Sequence, residues 1–280
     1  MRNLIRCAPV PSAFATPADL TGLRDRVALV TGGANGIGRA ASIALADAGA
    51  EVVVADLDLD GAEAVAATVG GHAIHTDVAD LDSNRAAVAF AQQRCGGLDL
   101  AFLNAGVTSG TGIGDDFDLA AYRRAMGVNL DGVVFGTQAA LPAMRARGGG
   151  SIVATASLAG LVGVPLEPIY TANKHAVVGL ARALGPALAP EHVRYNAICP
   201  GFANTAMTKS FREQLREAGF EILDAEVVAE TAVRVLAGQG TGECWFIQPG
   251  REPAPFEFRN VPGPRTAPPA AAVPAGEVKA

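Results

Sequence analysis

The run Val27-Ala28-Leu29-Val30-Thr31-Gly32-Gly33-Ala34-Asn35-Gly36-Ile37-Gly38 constrains this chain more than any other stretch. Val27 to Val30 is a continuous apolar run of the kind found in a strand buried on both faces, and Gly32, Gly36 and Gly38 follow it. The glycines let the backbone turn sharply and leave no side chain between its N–H groups and a ligand. The helix that opens at about Ile37 then offers its positive N-terminal end to an anion such as a phosphate. Glycine spacing by itself also fits a tight strand-to-helix turn without a ligand. Here a second apolar run ends on an acidic residue, Asp56, which is the context a dinucleotide site requires.

Strand and helix patterns alternate along the rest of the chain. Strands are expected at 27–31, 51–55, 72–76, 98–103, 151–156, 193–198 and 243–247. Helices are expected at 37–48, 60–68, 80–95, 115–126, 128–146, 168–188, 209–218 and 225–237. This βα alternation implies an α/β fold: a single Rossmann-type, doubly wound parallel sheet flanked by helices on both faces. Its crossovers are right-handed, and ligands bind beyond the carboxyl ends of the strands. Residues 1–20 read as a flexible extension, 21–250 as one catalytic domain, and 251–280, with seven prolines, as a Pro/Ala-rich tail that is disordered or extended along a neighbour. No internal repeat is visible.

Composition excludes several function classes. Half of the 280 residues are hydrophobic and 18% are charged, and no apolar stretch nears the roughly 20 residues of a membrane span. A net charge of −6 without a basic stripe offers nothing to nucleic acid or an anionic membrane. Cys7, Cys95, Cys199 and Cys244 are scattered, and His72, His75, His175 and His192 form no metal-ligand spacing. The expectation is reduced thiols, a cytoplasmic protein and no metal. Pro9 and Pro11 interrupt the first 20 residues, so no signal-peptide core forms there.

Gly32, Asp56, Asp77, Asn104, Ser157 and the pair Pro200-Gly201 each close an expected strand. Any one of them could simply terminate its strand. Together they converge on one rim of the sheet and make a site. Tyr170 and Lys174 stand four apart, on one face of the helix that follows Ser157. Arginine supplies all but three of the 22 basic residues and the chain has only three tyrosines, so the pair stands out. An adjacent ammonium favours tyrosinate and is expected to lower the phenol pKa from about 10 towards neutrality, where it exchanges protons with an alcohol or carbonyl. Ser157 is placed to hydrogen-bond the same oxygen.

With Thr31-Gly32-x-x-x-Gly36-Ile37-Gly38, Asp77, Asn104-Ala105-Gly106, Asn129, Ser157, Tyr170-x-x-x-Lys174, and Pro200-Gly201 followed by Thr205, residues 21–248 resemble the short-chain dehydrogenase/reductase family in its common branch of about 250 residues. The resemblance implies hydride transfer to or from a nicotinamide cofactor and a catalytic tetrad of Asn129, Ser157, Tyr170 and Lys174. Tyr170 is then the general acid/base, and Lys174 binds the nicotinamide ribose and tunes Tyr170. Ser157 orients the substrate oxygen, and Asn129 holds a water linking Lys174 to solvent. The glycine turn with Asn35 would hold the cofactor. Asp77, Val78, Asn104, Ala105 and Gly106 would line its adenosine side, and Pro200, Gly201 and Thr205 the nicotinamide side.

The chain departs from the family at Tyr195 and Asn173, where small or apolar residues are commoner. It departs again at Cys244-Trp245-Phe246-Ile247-Gln248-Pro249-Gly250, which lacks an Asp-Gly-Gly ending. The helices at 128–146 and 168–188 resemble the pair through which relatives form homodimers or homotetramers.

Asp56 favours NAD over NADP, because a carboxylate accepts hydrogen bonds from ribose hydroxyls and repels a 2′-phosphate. Neither Asn35 nor Leu57 supplies a compensating cation. The expected substrate is an apolar secondary alcohol or ketone held by Leu158, Leu161, Val162, Val164, Phe202, Met207, Phe211, Leu215 and Phe220, although some of these could instead pack a lid onto the body. Arg212 and Arg216 would point instead to a hydroxy acid. The alternative from another class is a catalytically silent dinucleotide-binding redox sensor or scaffold, which has no need of Tyr170 and Lys174.

Overall fold

A computed structural model describes residues 19–259. Its centre is one sheet in the order β3-β2-β1-β4-β5-β6-β7-β8. The strands are β1 Val27–Thr31, β2 Glu51–Asp56, β3 His72–His75, β4 Leu100–Leu103, β5 Gly150–Thr155, β6 Val193–Pro200, β7 Cys244–Ile247 and β8 Ala254–Pro255. The first seven run parallel, and β8 pairs antiparallel with β7. The α/β doubly wound architecture expected from the alternation is therefore present, with one antiparallel edge strand added.

Strand side chains alternate between two apolar layers. Leu29, Val53, Ala101, Leu103 and Ile152 pack against α3 (Leu81–Cys95), α5 (Gly132–Ala146) and α6 (Pro168–Leu188). Ala28, Val30, Val54, Phe102 and Val153 pack against α1 (Gly36–Asp47), α2 (Leu59–Val69) and α8 (Ala225–Ala237) on the other face. Because both faces are covered, the strands read as continuous apolar runs.

Local chemistry sets the helix ends. Asp58 and Asp80 cap α2 and α3 by accepting from the N–H groups of Gly61 and of Asp82 and Ser83. Both helices end on a left-handed glycine, Gly70 and Gly96. The helix expected from residue 115 begins instead as α4 at Leu119, because the Asp118 carboxylate accepts from Ala120 and Ala121. It does not break before the next helix: a π turn over Gly127–Asp131 joins α4 (Leu119–Met126) to α5. The helix expected at 209–218 is a 3-10 turn, Ala206–Phe211, followed by the short α7, Arg212–Glu217. Expected helices 168–188 and 225–237 are found at those bounds.

Past Gly250 the chain stays on the body. Ala254–Pro255 form β8, and the Arg182 guanidinium lies 4.0 Å from the Phe258 ring centroid. Residues 1–18 and 260–280, with Cys7, lie outside the described residues. Among the described residues no helix is long and apolar enough to cross a membrane.

Candidate active site at the carboxyl rim of the sheet

Strand order reverses between β1 and β4, which opens a crevice at the carboxyl ends of these strands. The glycine turn forms one wall. Gly32 and Gly36 have φ of +63° and +51°, and a Cβ on Gly38 would stand 2.0 Å from the Gly32 carbonyl oxygen, so the turn closes only with glycine there. The Asn35 side chain makes no capping bond to α1, and the first turn of α1 carries no acidic residue. Its N–H groups are thus left for an anion. The segment after β6 forms the facing wall: a Cβ on Gly36 would sit 2.9 Å from the Thr205 Cγ2. Asp56 ends β2, and its carboxylate accepts from the N–H groups of Ala34 and Asp58 at 2.9 and 3.0 Å. It is thereby locked beside the turn.

Asn104 holds this crevice together from within. Its amide donates to the carbonyls of Thr31 and Gly32, and its Oδ1 accepts from the Thr155 hydroxyl at 3.1 Å. The Thr31 hydroxyl accepts from the N–H groups of Asn104 and Ala105. The Asn104 carboxamide therefore braces the turn and is spent there; only its backbone and those of Ala105 and Gly106 line the crevice. Exposed Asp77 likewise accepts from the Ala79 N–H at 2.9 Å, while Val78 is buried against Gly132.

The tetrad comes together on the same rim. Buried Lys174 donates from Nζ to the Thr155 carbonyl at 2.7 Å and lies 5.6 Å from the Tyr170 ring centroid. Through Thr155 and Asn104, the lysine and the glycine turn share one hydrogen-bonded chain. Ser157 has extended backbone at the end of β5, and its Oγ accepts from the Ala159 N–H at 3.1 Å within reach of Tyr170. Asn129 sits in the π turn with no exposed surface, and its carboxamide exchanges bonds of 2.8 and 2.9 Å with the Val107 backbone. The carboxamide is thus committed to the backbone of this loop. What it does is fix the loop after β4 beside Lys174: a Cβ on Gly106 would lie 3.4 Å from the Asn129 Oδ1 and 3.8 Å from the Lys174 Nζ.

Protonation also differs from the expectation drawn from the Tyr170–Lys174 spacing. Burial pushes the Tyr170 phenol up to about 12, with the Ser157 hydrogen bond opposing and the Glu167 charge adding. Burial pulls Lys174 down to about 8, with Cys199 opposing. Neither shift draws on the other group, and the ammonium is turned to the Thr155 carbonyl. In this state Tyr170 is a phenol, a proton donor.

Two of the departures from the family pattern, Tyr195 and Asn173, are buried side chains. The Tyr195 hydroxyl, wholly buried on β6, meets the Thr137 hydroxyl at 3.1 Å. Buried Asn173 donates to the Ile169 carbonyl at 2.9 Å, and its Oδ1 has no partner.

Of the expected apolar walls, Leu161 packs into the core. Phe202 stacks edge-on with Phe211 and Phe220 at 6.5 and 5.4 Å between centroids. These three rings pack on one another within the segment after β6, with Phe202 and Phe220 still 37% and 52% exposed. Arg216 pairs with Glu213, and Arg212 donates to the Thr205 carbonyl, so both have partners. A charge that sequence spacing gives no hint of lies closer to the chemistry. Glu167, one helical turn before Tyr170, accepts from the buried hydroxyl of Ser109, 58 residues earlier.

Comparison with known proteins agrees with this geometry. The family model described as short chain dehydrogenase matches residues 26–216. A cyclohexanol dehydrogenase from Acinetobacter sp. is 37% identical over 194 residues, covering 68% of this chain and 77% of that protein. A trans-4-hydroxycyclohexanecarboxylate dehydrogenase from Sinomonas cyclohexanicum is 37% identical over 199 residues, covering 67% and 76%. A crystal structure of a short-chain type dehydrogenase/reductase from Mycobacterium marinum superposes with a TM-score of 0.76 at 32% identity, covering 83% of this chain and 97% of that one. A glycine turn, a braced crevice and a Ser-Tyr-Lys constellation on one rim, in a chain so matched, make this protein a member of the short-chain dehydrogenase/reductase family.

Proposed function

We propose that this chain is an NAD-dependent alcohol dehydrogenase or ketone reductase acting on an apolar secondary alcohol or its ketone, with Tyr170 as general acid/base. The observation that carries the reading is the meeting on one rim of the Tyr170 phenol, Ser157 within its reach, and a glycine turn whose helix N-terminus lacks a cap. The turn fits a dinucleotide: its glycines leave a cradle that Cβ atoms would fill, and Asp56 is fixed where ribose hydroxyls would find an acceptor. Bound there, a nicotinamide would supply the hydride acceptor or donor.

The chain's own residues do the rest. The Ser157 hydroxyl and the Tyr170 phenol hold the substrate oxygen between them. In reduction Tyr170 gives its O–H proton to that oxygen, and in oxidation it takes the proton back. Lys174, held by Thr155, keeps a positive charge near the phenolate so formed. Placement of Asp56 beside the turn favours NAD over NADP. The relatives named for cyclohexanol and for a hydroxycyclohexane carboxylate support a ring-sized substrate. We further propose a cytoplasmic homodimer or homotetramer built on α5 and α6, with one catalytic domain over 21–250 between an N-terminal extension and the Pro/Ala-rich tail.

Nicotinamide absorbance measured with cyclohexanol-like alcohols against polyols tests the reading. Turnover with ring alcohols and NAD, at a catalytic efficiency well above that with NADP, is expected. Equal efficiency with NADP would remove the role given to Asp56. Dinucleotide binding without turnover of any alcohol or ketone would favour the sensor alternative.

A further inference from the structure

We propose that Glu51, His72 and Cys95 form a binding site for a thiophilic divalent cation, zinc in the first instance, at the amino-terminal rim of the sheet. Glu51 opens β2, His72 opens β3 and Cys95 closes α3. Parallel register sets His72 opposite Val53, so His72 and Glu51 project from the same face of the sheet, the face that α3 covers. One carboxylate oxygen, one ring nitrogen and one sulfur lie within 4.8 Å of one another, and the His72 Nε2 stands 3.3 Å from the Glu51 Oε1.

Zinc bonds of about 2.0–2.3 Å arranged tetrahedrally require ligand-to-ligand edges of about 3.3–3.7 Å. The measured edge has that length, and small side-chain rotations bring the sulfur to the others. A thiolate, an imidazole and a carboxylate together favour zinc over magnesium or calcium, which prefer oxygen alone. Glu51 is exposed, so water can reach the fourth position.

One further observation supports the site. Phe90, one turn before Arg94 on α3, meets the His72 ring edge-on at 6.3 Å and holds it, while the Arg94 guanidinium stacks on the other partner of that contact, Phe90, at 5.5 Å. On binding, the Cys95 S–H bond breaks, its proton leaves to solvent and a sulfur–zinc bond forms, with no change of oxidation state. The site lies at the end of the sheet away from Tyr170, so it staples the edge strand β3 to β2 and α3 and takes no part in catalysis. No sequence spacing signals it, because each ligand comes from a different element.

The test uses the full chain stripped with chelator and titrated with cobalt chloride, then zinc chloride. One cobalt per chain is expected, with the near-ultraviolet charge-transfer band of a thiolate ligand, displaced by zinc. Zinc at a hundredfold excess over its Kd should raise the Tm by about 5 °C or more. Cys95→Ser should lose the band and weaken binding about tenfold or more, and His72→Gln should weaken it similarly, which serves if the serine variant fails to fold. A band that survives in Cys95→Ser, or the same zinc-induced Tm shift in wild type and His72→Gln, would overturn the proposal. So would the absence of saturable cobalt binding.

Discussion

The two rims of the sheet carry polar groups of the same kinds and treat them oppositely. At the amino-terminal rim Asp99, 1% exposed, accepts from Arg26, from both Nε and Nη2 of Arg147, and from the Val27 N–H, at 2.9–3.1 Å. Burial raises its pKa, but these donors outweigh it and hold the carboxyl below the usual carboxylate range. At the carboxyl rim Tyr170 and Lys174 are displaced from their ordinary pKa values mainly by burial, each towards its neutral form. Saturated polar groups tie elements together. Groups desolvated ahead of their partners are held ready for a ligand, and the strain of holding them is borne by the rest of the fold.

Substitution should therefore separate the rims. Tyr170→Phe is expected to lower kcat by about 10² to 10⁴ while dinucleotide binding, followed by calorimetry, survives and the Tm hardly moves. Retention of most activity would remove the acid/base role. Asp99→Asn should do the reverse. It replaces a carboxylate that bridges β1, β4 and the end of α5, and a cost of about 2–3 kcal/mol is expected, read as a fall in denaturation midpoint with kcat per folded molecule unchanged. Because the folded-state pKa of Asp99 is lowered, its contribution is complete above about pH 4 and is lost as pH falls through the folded value. The stability gap between wild type and Asp99→Asn should thus narrow in acid. A gap constant down to low pH would mean the bridge is not ionic.

A spectroscopic titration sharpens the same contrast. With its pKa raised from 10.0 to about 12, Tyr170 should contribute no tyrosinate absorbance below pH 10 in cofactor-free protein, so wild type and Tyr170→Phe should titrate alike there. An extra tyrosinate near neutrality in wild type would restore the lysine-driven ionisation that the Tyr170-x-x-x-Lys174 spacing alone suggests.

What the sequence shows and what it conceals divide along the same lines. The glycine turn, the rim residues and Tyr170-x-x-x-Lys174 are legible because each depends on backbone geometry or on spacing within one element. Helix α6 is legible to its ends, since Pro168 suits a first helical turn and the buried face, interrupted only by Asn173 and Lys174, runs on to Leu188. The π turn that seats Asn129 is not, because one i→i+5 turn leaves no periodicity of its own. Strand β8 is two residues long and contains Pro255, and it is held by contacts such as Arg182 on Phe258 that no local pattern announces. The protonation of Tyr170 and Lys174 depends on how deeply each is buried, which spacing does not reveal. The Ser109–Glu167 bond joins residues 58 apart, in loops that only the fold brings together.

That bond supplies the smallest effect and the closest comparison, between two carboxylates at opposite rims. Asp99 is neutralised by two guanidinium groups, whereas Glu167 accepts from the neutral Ser109 hydroxyl, and its charge reaches Tyr170 one turn away. Arg216 is paired with the Glu213 carboxylate, whereas Arg212 donates to the neutral Thr205 carbonyl and keeps its charge. A substrate carboxylate near the reacting oxygen would meet like charge, so cyclohexanol should be turned over with higher kcat/KM than 4-hydroxycyclohexanecarboxylate. The relative named for the latter makes the comparison a direct one. Glu167→Gln keeps an acceptor for Ser109 and removes the charge. It should raise kcat/KM for the hydroxy acid by about tenfold, the equivalent of about 1.4 kcal/mol of relieved repulsion, and change that for cyclohexanol by less than about twofold. Equal gains on both substrates would mean that Glu167 acts on Tyr170 alone and not on the substrate. A wild-type preference for the hydroxy acid would mean that a cation, Arg212 being the candidate, reaches the site.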